Sequence, residues 1–140
     1  MIRSIARSVM AVILALMLAL ALIIGIELMS SILHPLPAGL YPGNLEVLKT
    51  HVVRYPPWVL LLVVLGWGLS TLISAWLATR LGSGRHLAHG IVVGSILLIA
   101  AIANMLMLPY PMWFWVLNLV VFPASFCFGA RLGRARSKTA

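Results

Sequence analysis

Four apolar runs, each about the length a helix needs to cross a bilayer, constrain this chain more than any other feature. Crossing about 30 Å of hydrocarbon takes roughly 20 residues at helical rise. The first run spans residues 8–33 and is stopped by His34-Pro35, because the residue before a proline is pushed out of the helical region. The second spans 57–79, with Pro57 suited to a first helical turn. The third spans 87–108 and the fourth 112–130, joined by Pro109-Tyr110-Pro111. Of the 140 residues, 63% are hydrophobic and 9% charged. A soluble domain carries about a quarter charged residues, so this composition excludes a soluble enzyme, a disordered tail and a nucleic-acid-binding module. It predicts an all-α, polytopic membrane protein built as one four-helix bundle.

Charge sets the orientation. Arg3, Arg7, Arg80, Arg85, Arg131, Arg134, Arg136 and Lys138 all fall on one side of such a bundle, and only Lys49 and Arg54 fall on the other. Basic loops stay cytoplasmic, which predicts that both termini are inside. The partners expected of that side, including the basic tail at 131–140, are anionic lipid head groups rather than nucleic acid. Arg3 and Arg7 resemble the start of a signal peptide. The apolar stretch from Val9 to Ile26 is 18 residues, however, longer than the roughly 7–15 of a secretory core. A retained first helix is expected.

The outer connection, residues 34–56, opens with Pro35, Pro37, Gly39, Pro42 and Gly43, which preclude a long helix. Asn44 can then cap a short helix over 45–54, with Leu45, Leu48 and Val52 on one stripe. That segment is read either as an interfacial helix or as an ordered loop. Tyr41, Tyr55, Trp58, Tyr110, Trp113 and Trp115 lie at the same level, as a membrane aromatic belt should.

Helices in lipid meet through small residues. The second run carries Gly66, Ser70, Ser74 and Ala78 at spacing four, the third carries Gly90 and Gly94, and the first carries Ala11, Ala15 and Ala19. These faces meet within one chain or between copies, so a homo-oligomer or a membrane-protein partner is allowed. Pro123 should kink the fourth helix.

Glu27 is the one acidic residue inside the apolar runs. An acid in hydrocarbon costs of order 2–3 kcal/mol, so it normally faces the bundle interior beside a partner. It lies six residues, about 9 Å, from the outer end of its helix. Asn104 and Asn118 fall near that depth on the third and fourth helices, so the three are expected to form one buried polar layer. In a functional reading the layer is a proton or cation site, with Glu27 cycling between charged and protonated forms. In a structural reading Glu27 stays protonated or pairs with Arg54, and the layer fixes helix register. Trp67 and Trp76 either line a site for a cationic substrate or serve as bulky lipid-facing or core packing. His34 and His51 match no metal-ligand spacing, and Cys127, alone in its chain, reads as a small buried hydrophobe. No metal or cofactor is expected. With no Ser/His/acid set, paired carboxylates, phosphate-cradling loop or CxxC, an enzyme is not expected either.

The acid near the outer end of helix 1, Pro37-Ala38-Gly39, Tyr41-Pro42, and the run from Asn104 to Phe114 resemble a group of small bacterial four-helix membrane proteins. The resemblance implies the same topology and a bacterial inner membrane, and it implies no activity. On Glu27 alone, the chain is also similar to small multidrug-resistance transporters, which place one essential acid in helix 1. It departs from them in its long outer connection and its off-centre acid. The role expected is structural or accessory. The alternative is a small proton- or cation-coupled transporter using Glu27.

Overall fold

In hydrocarbon every backbone N–H and C=O must be satisfied within its own segment, which leaves this chain little besides helix. The computed structural model describes residues 1–37 and 43–135, with the side chains of Arg85 and Ala135 excepted. The residues expected at Ala38, Gly39, Tyr41, Pro42, Arg136 and Lys138 lie outside the described residues. Among those described there are five α-helices: α1 (Ile2–Leu33), α2 (Leu45–Val53), α3 (Pro57–Leu81), α4 (Leu87–Met107) and α5 (Met112–Ala135). Four of them, all but α2, are long and apolar enough to cross a membrane.

The ends of these helices differ from the sequence expectation for physical reasons. Helix α1 begins at Ile2 rather than Ser8, and its 32 residues run about 48 Å, well past a hydrocarbon core. Its first turns are tied to the α3–α4 connection: Ser4 Oγ lies 2.6 Å from Ser83 Oγ, and Arg7 Nε donates to the Leu81 carbonyl at 2.9 Å. Helix α5 continues past Ala130 to Ala135 because Gly133 lets it lie against α3, where an added Cβ would stand 2.7 Å from the Trp76 carbonyl oxygen. The amino end of α1, the α3–α4 turn and the end of α5 therefore share one end of the bundle. Helix α2 and the α4–α5 turn sit at the other.

Helix α3 is the hub. It packs on α1, α4 and α5, and the buried cluster runs along it from Leu60 through Val64 and Trp67 to Ala78. Small residues set each contact. Gly68 accepts Val121 of α5, Gly129 of α5 rides on the Leu72 carbonyl, and Gly94 of α4 is filled by Phe126. Gly90 meets Thr79 and Ala130, where a Cβ would stand 2.6 and 2.7 Å from their nearest atoms. Gly66 admits Ile26 of α1. Ser70 and Ser74 are 2% and 0% exposed, and Ser70 donates to the Gly66 carbonyl at 2.8 Å. The stripes expected from sequence therefore pack inside the chain.

Helix α1 is the least enclosed of the four long helices. Its buried residues are Ala11, Ala15, Ala19 and Ser30, one stripe turned toward α3. Around the rest of the helix, large side chains such as Met17 and Leu28 face outward. Cys127, expected to be buried, is exposed on α5.

Candidate functional site

A second stripe on α1, Leu16, Leu20, Ile23 and Glu27, recurs at helical spacing and faces α4. On α4 the matching stripe is Leu97, Ala101, Asn104 and Leu108. Between them lies a cavity of about 570 Å³, backed by Trp67 of α3 and Phe122 of α5. His51 and Val52 of α2, with Tyr55 and Tyr110 from the two connections, close its end nearest α2. Volumes of about 300–1,000 Å³ are typical of small-molecule sites.

Glu27 and Trp67 form the centre of this site. The indole Nε1–H of Trp67 donates to Glu27 Oε1 at 3.1 Å, joining α1 to α3. The ring is held edge-on by Phe114 and Phe122, with centroids 5.8 and 6.4 Å away, so the donor has a fixed direction. One turn further along α1, the Ser30 hydroxyl donates to the Glu27 carbonyl at 3.0 Å. Glu27, expected to be buried, is an exposed residue overall and lines the cavity.

The three residues of the expected polar layer are separated by the structure. Glu27 and Asn104 line the cavity together. Asn118 is 0% exposed and does not line it; its Nδ2 donates to the Phe114 carbonyl at 2.8 Å. Among the described residues, the side-chain oxygens of both asparagines are buried without a hydrogen-bond partner. For Asn104 that orphan acceptor belongs to a residue that lines the cavity. The ion pair among the described residues joins Lys49 to Glu46 at 2.9 Å, so Arg54 is not paired with Glu27.

The outer cap is aromatic and titratable. His34 and His51 stack with centroids 4.7 Å apart, and Tyr55 tilts against both. A ring nitrogen of His51 lies 3.1 Å from the His34 carbonyl. Burial, with His51 beside it, holds the His34 imidazole below its ordinary pKa. Burial pushes the Tyr55 phenol up, the neighbouring Ser30 hydroxyl opposes this, and the Glu27 charge adds to the rise. Tyr110, stacked on Phe114 at 4.4 Å, is raised further by burial and then by the charge on Glu27. Both phenols therefore stay protonated and able to donate. No group of three His, Cys, Asp or Glu side chains gathers to hold a metal among the described residues.

Sequence reasoning named Trp67 without its role and placed Tyr55 and Tyr110 in a lipid-facing belt. Trp67 lies ten residues into α3 whereas Glu27 is six from the end of α1, so the two are not level in sequence. The long indole bridges that offset. Trp76, the other candidate, instead carries the Arg80 guanidinium 5.8 Å over its ring. No family description, curated protein or solved structure matches this chain.

Proposed function

We propose that this chain is a multi-pass protein of the bacterial cytoplasmic membrane, with both termini inside, that exchanges a proton or a cationic solute at Glu27. The observation that carries the reading is the Glu27 carboxyl opening onto a 570 Å³ cavity while Trp67 fixes one of its oxygens. An acid kept at membrane depth with a defined partner is a functional site by default. The orientation is supported by Arg3, Arg7, Arg80, Arg131 and Arg134, which the fold gathers at one end of the bundle, opposite Lys49 and Arg54. At that end the expected partners are anionic head groups.

The test is charge movement across proteoliposomes on a solid support under an imposed pH gradient, for wild type and Glu27→Gln. Current in the wild type that disappears in a well-folded Glu27→Gln protein is the expected result. Equal, silent traces from both would refute it. In that case the accessory role stands instead, and the outward face of α1, uncovered by the rest of the chain, is where a partner would be sought.

A further inference from the structure

We infer that the Glu27 cavity takes a primary amine carried on an aliphatic chain, and that this ligand enters sideways from the membrane between α1 and α4. The inference rests on the reading of Glu27 as a functional site and names its ligand.

The lining is graded from end to end. Leu16, Leu20 and Leu97 make the deeper part apolar, whereas Glu27 and Asn104 stand toward the outer end. Such a gradient along the membrane normal fits an amphiphile with its head outward and its tail toward the bilayer centre. The balance of donors and acceptors then selects the head. Trp67 supplies one N–H to Glu27, but an ionised carboxylate has about four acceptor sites, and the Asn104 oxygen has no partner at all. Tyr55 and Tyr110 can donate from the end of the cavity, but among the described residues neither is bonded to Glu27 or Asn104, so this pair keeps open acceptors. No Lys or Arg lines the cavity, so a cationic head would meet no fixed positive charge there. A primary ammonium brings a positive charge and three donors. A quaternary ammonium brings charge without donors, and an alcohol brings one donor without charge.

The route follows from Leu20, which lines the cavity yet is 60% exposed. The cavity thus opens on the lipid-facing surface. Toward the aqueous side it is covered by α2, where His51 and Val52 are 8% and 6% exposed. The same seam continues at the other end of the bundle as a second cavity of about 290 Å³, between Val9 and Val12 of α1 and Ala88 and Val92 of α4.

Two sources share this head chemistry: a free alkylamine and an aminophospholipid of the outer leaflet. The experiment is binding of radiolabelled dodecylamine to the full chain in phosphatidylcholine nanodiscs, whose lipid carries no primary amine, with empty nanodiscs as the blank. Competitors are unlabelled dodecylamine, dodecyltrimethylammonium, dodecanol and phosphatidylethanolamine. A hydrogen bond to a charged group contributes about 1.5–3 kcal/mol, so the trimethylammonium and the alcohol should compete about tenfold or more less well than the amine. Asn104→Leu should lose a similar factor for the amine while leaving trimethylammonium competition unchanged. Asn104→Asp, which keeps the acceptor, should retain the amine, so a folding defect in the first variant cannot mimic the result. Competition by phosphatidylethanolamine identifies the lipid as the source, and its failure identifies the free amine. Equal competition by amine and trimethylammonium, or no effect of Asn104→Leu, overturns the proposal. Absence of amine binding beside a Glu27-dependent proton current overturns the ligand and leaves the Glu27 reading standing. Absence of both overturns both.

Discussion

Replacing Gly90 with alanine adds one methyl group at the tightest three-way contact of the bundle. The new Cβ would stand 2.6 Å from Thr79 Oγ1, 2.7 Å from Ala130 Cβ and 2.8 Å from the Ala75 carbonyl oxygen. Carbon contacts prefer about 3.5–4.0 Å, so α4 must move away from both α3 and α5 by roughly an ångström, and the Ala75 carbonyl is backbone that cannot rotate aside. Overpacking of this kind costs about 1–3 kcal/mol. Alanine also gains about 0.5–1 kcal/mol over glycine in any helix interior, so the bare measurement underestimates the clash. Gly25→Ala supplies the correction, because a Cβ there meets nothing within 4 Å. It should be neutral or slightly stabilising. The difference between the two variants isolates the clash, and about 1–3 kcal/mol corresponds to roughly 5- to 150-fold in the unfolding constant. Denaturant titration in mixed micelles reads it, with sizing in detergent run beside it. Gly90→Ala should lose stability without changing its oligomeric state, since the contact is internal. Two variants of equal stability would refute the packing argument, and dissociation of an oligomer by Gly90→Ala would assign this face to a second copy instead.

Other outcomes follow from the outer half. Trp67→Phe keeps a ring beside Phe114 and Phe122 but removes the N–H to Glu27; about 0.5–1.5 kcal/mol of stability should go with it, read by the same titration. His34 has an imidazole held below its ordinary value of 6.5, so the unfolded chain takes up a proton more readily than the folded one. Its contribution is complete above pH 6.5 and is lost as pH falls through the lowered folded value, giving a thermal midpoint that declines on acidification and a shallower decline in His34→Gln. Lys49→Ala breaks an ion pair whose side chains are 39% and 77% exposed, and should change stability by less than about 0.5 kcal/mol.

Much of the architecture was legible because lipid removes alternatives. A run of about 20 apolar residues in hydrocarbon has one outcome for its backbone, so the four long helices and the prolines and glycines between them could be read directly. Asn44 likewise announced α2, and its side chain accepts from the Glu46 amide at 3.0 Å. The ends were less legible. That α1 reaches back to Ile2 depends on Arg7 finding the Leu81 carbonyl, a contact 74 residues distant in sequence. The site was half legible: Glu27 and Asn104 stood out as polar residues in apolar runs, but depth counting along separate helices assumes level ends and no long side chains. Asn118 satisfied the count and still turned to the Phe114 carbonyl one turn back on its own helix. Trp67 was outside that count and reached Glu27.

The position of the cavity has its own cause in the small residues. Every glycine of α3 and α4 within the bundle, and Gly129 and Gly133 of α5, is occupied by a neighbour, which locks α3, α4 and α5 together. Helix α1 joins that core on one side only, through three alanines and the Ile26–Gly66 contact. Toward α4 it presents Leu16, Leu20, Ile23 and Glu27, and α4 answers with no glycine opposite them. Leu16, Leu20 and Ile23 of α1 face Leu97, Ala101 and Asn104 of α4 across the cavity, so the α1–α4 seam is where space is left over. Glu27 lies on that seam rather than on the alanine face beside it. A carboxylate on the alanine face would be enclosed by α3, whereas on the seam it reaches a donor from α3 and still opens on the cavity. That placement supports the proposed exchange at Glu27, which would need a loosely packed contact of the bundle.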